Sequence, residues 1–172
     1  LSLLMPKMYK RSIYDVNYKK LKKMGVKCLL FDLDNTCVPY HEQEALPEVG
    51  ELFSKLGKMG FKVILFSNSP RSRLVKFRSW NVLYNSSSCK PFSRSFYKIL
   101  KRYNYLKSEV CIIGDQLFTD VYGGNRVGII TCLVDPISDV DMILTKFTRF
   151  LEVQKLKRFE AKGLFKRGEY YD

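Results

Sequence analysis

The sequence predicts an α/β protein of the Rossmann-like class, a doubly wound parallel sheet with helices on both faces. Three observations support this prediction. Short runs that are apolar throughout, such as 27–32 and 61–66, alternate with amphipathic stretches, which favours strands buried on both faces of a parallel sheet. The length of 172 residues suits one domain, and a hydrophobic content of 46% suits one core. Polar residues directly follow several of the apolar runs, at the sheet edge where such folds bind ligands.

The predicted elements follow one another along most of the chain. Strands are predicted at 27–32, 61–66, 82–85, 109–114 and 128–134, and helices at 45–59, 71–80, 91–105 and 119–127. Pro47 lies in the first turn of the first helix, and Gly60 ends it. We divide the chain into a basic segment 1–26, a core 27–138 and a final segment 139–172 that packs on or extends the same domain. The final segment carries an amphipathic helix to about residue 162, and we expect a loosely ordered tail over 163–172.

The amino-acid composition indicates which classes of partner the protein could bind and in which compartment it works. The net charge is +13, and residues 71–107 hold ten Lys/Arg and no acid, so that block alone is +10. Such a block favours phosphorylated substrates, anionic membranes or nucleic acid, although a solvated surface gives the same pattern. The five cysteines form no Cys-x-x-Cys pair and His41 is the single histidine, which argues against zinc and for reduced thiols in the cytoplasm. No apolar run approaches the roughly 20 residues of a spanning helix.

Acids, hydroxyls and a lysine converge on the carboxyl edge of the predicted sheet. They follow the first, second and fourth strands or precede the third helix, and they are Asp32, Asp34, Ser67, Asn68, Lys90, Asp115 and Asp120. Two carboxylates leaving one buried strand are costly unless a cation or hydrogen-bond donors receive them. Phosphoryl transfer needs charge neutralisation and in-line positioning. Because a hard cation prefers carboxylate oxygens, Asp32 and Asp115 are the natural ligands of Mg²⁺.

The same residue types define a reaction. Asp32 can attack phosphorus and form an aspartyl phosphate. Asp34, next to another charged group, should hold its proton more tightly than a free aspartate, and it can give that proton to the leaving alkoxide. Ser67 can donate a hydrogen bond to a phosphoryl oxygen, and Lys90 can pair with Asp32 and the phosphate. The sequence therefore predicts a magnesium-dependent phosphohydrolase.

Four motifs of the chain resemble those of the haloacid dehalogenase (HAD) superfamily. They are FDLDNT, FSNS, CKP and GDQLFTD, in the superfamily's order and on the expected elements. The resemblance implies the roles given above for Asp32, Asp34, Ser67, Lys90 and Asp115. It adds Thr36 as a positioning neighbour and the backbone carbonyl of Asp34 as a metal ligand. Asp120 matches the second acid of the fourth motif, which implies that it either binds a water molecule of the metal or orients Lys90.

Within that superfamily the chain is similar to the YqeG-like branch of subfamily IIIA. The opening PKMYKRSIYDVNYKKLKKMGVKCLLFDLDNT and the end DVDMILTKFTRFLE carry this closer likeness. Eukaryotic relatives of that branch are mitochondrial phosphatidylglycerophosphate phosphatases. Cys37 departs from the aliphatic residue usual after the threonine, and we expect it to pack similarly.

Spacing indicates that the site has no cap domain. Ser67 lies 35 residues after Asp32, and Lys90 lies 23 residues after Ser67, so neither gap can hold an inserted domain. An open site suits a large or surface-bound phosphate ester, with Arg71 and Arg73 as candidates for binding the rest of the substrate.

Three functions are compatible with these features. The favoured one is a phosphatase acting on phosphatidylglycerophosphate or a similar lipid phosphate, at the surface of an anionic membrane. The second is an uncapped phosphatase for nucleic-acid or protein phosphate. The third is a non-enzymatic phospho-acceptor module, against which the intact Asp34 and Thr36 argue, because such a module needs no leaving-group acid.

Overall fold

The computed structural model describes residues 2–139 and 143–172, which form one six-stranded sheet covered by helices. The strands are β1 (Met8–Lys10), β2 (Cys28–Phe31), β3 (Lys62–Phe66), β4 (Leu83–Asn85), β5 (Val110–Gly114) and β6 (Ile130–Val134). The helices are α1 (Tyr18–Lys23), α2 (Pro47–Lys58), α3 (Arg71–Leu74), α4 (Arg94–Arg102), α5 (Tyr122–Val127) and α6 (Ile143–Ala161). Each pairing between these strands is parallel, so the predicted fold class is confirmed.

The sheet reverses its direction of winding at β2. The strand order is β1-β6-β5-β2-β3-β4, so the chain moves outward from β2 to β4, returns to the other side of β2 at β5, and continues to β6. In open parallel sheets the crevice at such a reversal point is where ligands bind. Asp32 follows β2 and Asp115 follows β5, which places both carboxylates at this crevice.

Alternate strand residues face two separate cores. Leu29 and Phe31 face one layer together with Phe53 of α2, whereas Leu30 faces the other together with Phe96 of α4. Side chains on both faces are buried, as the apolar strands predict. No domain is inserted between Asp32 and Lys90, a stretch that is described throughout, so the prediction of an uncapped core is confirmed.

The N-terminal segment contributes two elements that the sequence analysis did not predict. β1 pairs with β6 in register from Met8↔Cys132 to Lys10↔Val134, and α1 carries the buried Leu21. The helix predicted over 71–80 is also shorter than expected, because the α-helical part ends at Leu74 and a 3₁₀ turn follows over Val75–Trp80. Pro91 lies in a turn before α4 and not in its first turn.

The C-terminal residues pack against the sheet. Phe159 of α6 and Phe165 are buried with Tyr9, Leu117 and Leu133. The N–H and C=O groups of Tyr9 and Tyr171 pair in both directions at 2.9 Å, and the Tyr170 hydroxyl donates to Asp135 at 2.6 Å. The prediction of a loosely ordered tail is therefore wrong. Residues 140–142, which the predicted amphipathic helix includes, lie outside the described residues.

All five cysteines are free thiols, and four of them are buried. Among the described residues, no helix is both long enough and apolar enough to cross a membrane.

Candidate active site

The loop after β2 turns sharply and presents two carboxylates to the same crevice. The carbonyl of Leu33 accepts hydrogen bonds from the N–H groups of Thr36, Cys37 and Val38, at 3.3, 2.9 and 3.3 Å. Asn35 takes a φ of 61°, a left-handed conformation that asparagine tolerates better than most residues. The turn leaves Asp32 and Thr36 buried and Asp34 partly exposed.

Lys90 bridges two of the acids. Its ammonium group donates to Asp32 Oδ1 at 2.7 Å and to Asp120 Oδ1 at 2.6 Å, and its side chain is 1% exposed. Burial alone would lower the pKa of Lys90, but the carboxylates of Asp120 and Asp32 raise it overall. The lysine is therefore a fixed positive charge between the two acids.

The amide side chain of Asn68 holds the backbone at Lys90. Asn68 Nδ2 donates to the carbonyl of Lys90 at 3.0 Å, and the Lys90 N–H donates to Asn68 Oδ1 at 2.7 Å. In this arrangement both polar atoms of the Asn68 amide hold the backbone of Lys90, and a contact of Asn68 with the substrate stays a prediction. The neighbouring Ser67 is buried at the end of β3, where its hydroxyl accepts a hydrogen bond from the Ser69 N–H at 3.1 Å.

The carboxylate of Asp115 accepts hydrogen bonds at both of its oxygens. The Thr36 hydroxyl donates to Asp115 Oδ1 at 2.8 Å, and Arg149 of α6 donates to Oδ2. Burial raises the pKa of Asp115, and the charge of Arg149 opposes that rise. Burial likewise raises the pKa of Asp120, against the effect of Lys90. A cation bound here would lower both pKa values, because it would stabilise the ionised carboxylates.

A close backbone approach lets Asp120 reach the crevice. A Cβ atom on Gly114 would lie 2.2 Å from Asp120 Oδ2, far inside any allowed contact. Gly114, the last residue of β5, is therefore required for the carboxylate of Asp120 to lie against the strand. The Gln116 N–H donates to Asp120 Oδ2 at 3.1 Å and fixes its orientation.

Asp32, Asp115 and Asp120 form a triad that could hold a metal ion. Each offers one carboxylate oxygen, these oxygens lie within 4.8 Å of one another, and all three residues are buried. Three hard oxygen donors at a buried site fit Mg²⁺ in chemistry and in charge. The carboxylate of Asp34 is not part of this triad, and the predicted metal contact of the Asp34 backbone carbonyl stays a prediction.

Asp34 instead faces the other side of the crevice. Its Oδ2 accepts a hydrogen bond from the Ser69 hydroxyl at 2.7 Å, and its Oδ1 accepts from Arg73 Nη2 at 2.9 Å and from Nε at 3.2 Å. Burial and, to a lesser extent, the charge of Asp32 raise the pKa of Asp34, whereas Ser69 and Arg73 lower it, and the balance is a raised value. The direction agrees with the expectation from the sequence, although burial is the larger cause.

The two arginines predicted to bind the substrate have different surroundings. Arg73 is committed to Asp34 and also donates to the carbonyls of Tyr40 and Glu42. Arg71 is exposed at the start of α3. Beside Asp34 a groove is lined by the loop between β2 and α2, by α3 and by the 3₁₀ turn that follows α3. Its lining residues are Tyr40, His41, Gln43, Ser72, Arg73 and Lys76.

Sequence reasoning missed two site residues on α6. Arg149 contacts Asp115, and Glu152 is 4% exposed and accepts the Phe118 N–H at 2.9 Å through Oε1. Burial raises the pKa of Glu152 to about 7. A signal was present, since Arg149 and Glu152 lie three residues apart and so share one face of the predicted amphipathic helix.

Comparisons with known proteins agree with this geometry. The family model of HAD-hydrolase-like proteins matches residues 88–136, which include Lys90, Asp115 and Asp120. The D,D-heptose 1.7-bisphosphate phosphatase from B. bronchiseptica has the same fold, with a TM-score of 0.53 and 16% identity over 63% of this chain and 80% of that one. The deoxy-D-mannose-octulosonate 8-phosphate phosphatase from Haemophilus influenzae gives a TM-score of 0.51 with 14% identity, covering 84% of this chain and 99% of that one. The two solved structures share the fold of this chain, and the family model places its matched segment among HAD-hydrolase-like proteins.

Two curated relatives match most of the chain. "Probable phosphatase YqeG" of Bacillus subtilis (strain 168) is 33% identical over 160 residues, which is 92% of this chain and 93% of that protein. The chain therefore belongs to the YqeG family of HAD phosphatases. The "Phosphatidylglycerophosphate phosphatase 1, chloroplastic/mitochondrial" of Arabidopsis thaliana is 25% identical over 93% of this chain, which spans 49% of that longer protein.

Proposed function

We propose that the chain hydrolyses a phosphomonoester of a lipid through an aspartyl phosphate on Asp32, with Mg²⁺ held by Asp32, Asp115 and Asp120. The observation that supports this most is the buried triad of carboxylates with Lys90 bridging two of its members, at the reversal point of the sheet. When bound, Mg²⁺ would neutralise negative charge on the phosphate and on the attacking carboxylate.

The first half of the reaction forms the covalent intermediate. A carboxylate oxygen of Asp32 attacks phosphorus, and the bond from phosphorus to the leaving oxygen breaks. The proton on Asp34 goes to the leaving oxygen, which departs as an alcohol. Lys90 and the Ser67 hydroxyl hold the phosphoryl oxygens, and the hydrogen bonds from Ser69 and Arg73 keep the Asp34 carboxyl in place.

The second half regenerates the enzyme. Asp34, now ionised, takes a proton from a water molecule, whose oxygen attacks phosphorus. The bond from phosphorus to Asp32 breaks and inorganic phosphate leaves. Asp34 thus ends the cycle protonated, as it began, so that no external acid or base is consumed.

Several features support a lipid phosphate as the substrate. The uncapped crevice leaves room for an ester held at a surface, and the Arabidopsis relative is named for phosphatidylglycerophosphate. Phe147 and Phe150 of α6 are 66% and 59% exposed on the helix that also carries Arg149 to the site. Arg71 and Lys76 are exposed near the groove beside Asp34 and suit an anionic headgroup. Five free thiols fit the proposed setting in a reducing cytoplasm, at the membrane surface.

A substrate panel tests this proposal. Phosphate release would be measured from phosphatidylglycerophosphate in anionic and in neutral vesicles, from a mononucleotide, from a phosphorylated nucleic-acid end and from a phosphopeptide. Asp32→Asn gives the background, since an amide cannot attack phosphorus. We expect the lipid in anionic vesicles to be hydrolysed at least tenfold faster than the others, and salt to reduce that preference. Faster cleavage of the nucleic-acid or peptide phosphate would replace the lipid assignment.

A further inference from the structure

Arg149 contacts the acidic triad although it lies on α6 and does not follow a strand of the sheet. Its guanidinium group donates from Nη1 to the backbone carbonyl of Asp115 at 2.8 Å and from Nη2 to the Asp115 carboxylate. The arginine side chain is 16% exposed, whereas that of Asp115 is 0% exposed. The helix α6, which is distant in sequence from β5, therefore places a permanent positive charge beside the carboxylate of Asp115.

The packing of α6 fixes that charge in place. Glu152, one turn further along the helix, accepts from Arg149 Nη1 at 3.4 Å through Oε2 and from the Phe118 N–H through Oε1. Phe159, near the other end of α6, is buried against Leu117. Contacts at two points along the helix thus keep Arg149 against the loop that carries Asp115.

The ion pairs of the buried groups show that Arg149 compensates the negative charge of Asp115. Lys90 donates to Asp32 and Asp120, so its ammonium group is shared by two acids. The charged partner of the third acid, Asp115, is Arg149. Three carboxylates whose oxygens lie within 4.8 Å of one another repel strongly when buried, and each cation beside them reduces the attraction that the group has for a further cation.

We propose that Arg149 is an internal counter-ion of the acidic triad, which competes with Mg²⁺ for Asp115 and thereby sets the metal concentration that the enzyme needs. The inference rests on the proposed Mg²⁺ site. Two effects of removing Arg149 oppose each other, namely loss of a repelling charge and loss of a hydrogen bond that orients Asp115. Because the Thr36 hydroxyl still holds the buried carboxylate at 2.8 Å, the loss of the charge dominates.

Three substitutions separate charge from hydrogen bonding. Arg149→Gln keeps a hydrogen-bond donor but removes the charge, and Arg149→Met removes both. Arg149→Lys keeps the charge but loses the planar guanidinium group with its two parallel donors. Arg158→Gln, an exposed position on the same helix, is the matched control for a change of net charge. Mg²⁺ affinity would be measured by calorimetry and by the dependence of the melting temperature on Mg²⁺ concentration, without substrate.

We expect the Gln and Met variants to bind Mg²⁺ about tenfold more tightly than the wild type, and the Lys and Arg158→Gln variants to stay within about threefold. Without metal, the neutral variants should melt at a lower temperature than the wild type, and saturating Mg²⁺ should remove most of that difference. If a neutral variant unfolds without metal, saturating Mg²⁺ should restore its fold, since the ion supplies the missing charge.

Other results of the same measurements would contradict the proposal. Unchanged or weaker Mg²⁺ binding by Arg149→Gln would overturn the proposal and make Arg149 a purely positional residue. Failure of saturating Mg²⁺ to restore an unfolded variant would overturn it as well. If neither the wild type nor Arg158→Gln binds Mg²⁺, the metal site of the proposed function fails first, and the inference fails with it.

Discussion

The two sides of the crevice differ in how their charges are compensated. On the buried flank, formed by Lys90, Asp115 and Asp120, the side chains are at most 1% exposed. On the open flank, formed by Asp34, Ser69 and Arg73, the Asp34 side chain is 18% exposed and that of Arg73 is 12% exposed. A charge in the buried flank needs a partner within the protein, whereas water can share that role in the open flank. In the proposed function the buried flank holds the metal and the phosphate, and the open flank faces the leaving group.

The largest expected effect comes from removing the cation of the buried flank. Lys90→Met leaves Asp32 and Asp120 without the ammonium group that both now contact. We expect a loss of about 3–5 kcal/mol in the free energy of unfolding and a fall of roughly 100-fold or more in aryl phosphate hydrolysis. Urea unfolding and steady-state kinetics measure the two effects. Lys101→Met, at an exposed position of α4, is the control, and equal stability of the two variants would contradict the comparison.

A change in the open flank should depend on the leaving group. Asp34→Asn cannot supply a proton, so the first turnover of an alkyl phosphate should slow by about 10²–10⁴-fold. Nitrophenolate leaves without a proton, so a nitrophenyl phosphate should still give a burst of one leaving group per enzyme. Rapid-quench kinetics would record the burst, and Asp32→Asn should give none. Equal losses for both esters would remove Asp34 from its assigned role.

The smallest effect is expected at the outer end of the open flank. Arg71 is exposed at the start of α3, so Arg71→Gln should change aryl phosphate hydrolysis by less than about threefold. For a lipid phosphate in anionic vesicles we expect KM to rise about five- to tenfold, because each cation near such a surface contributes on the order of 1 kcal/mol. Arg78→Gln, exposed in the same basic block, tests whether position matters. A similar rise for both variants would indicate general attraction to the surface.

The sequence predicted the central sheet well, and the reason is physical. Strands that are apolar on both faces and alternate with helices favour a covered parallel sheet, in which the polar residues after the strands meet at the carboxyl edge. The pattern of apolar runs alone therefore places Asp32, Ser67 and Asp115 near one another. β1 escaped prediction because three residues, Met8–Lys10, carry no periodicity of their own and become a strand only by pairing with β6.

The contacts of the arginines were also beyond sequence analysis. A helical pattern shows which residues share a face, but not where the helix docks. Arg149 was one of several basic residues on an amphipathic stretch, and its contact with Asp115 depends on how α6 packs. Arg73 was predicted to bind the substrate, whereas in the structure it holds Asp34. In both cases the partner lies more than 30 positions away in sequence.

The pairing of Tyr171 with Tyr9 has a consequence for how molecules of this protein meet one another. β1 forms one border of the sheet, and an uncovered border strand offers backbone groups to the strands of other molecules. Here both backbone groups of Tyr9 are taken by Tyr171 at 2.9 Å, and Phe165 covers the neighbouring surface. The C-terminal residues therefore cover this edge strand, so that β1 is not free to pair with a strand of another molecule in concentrated solution.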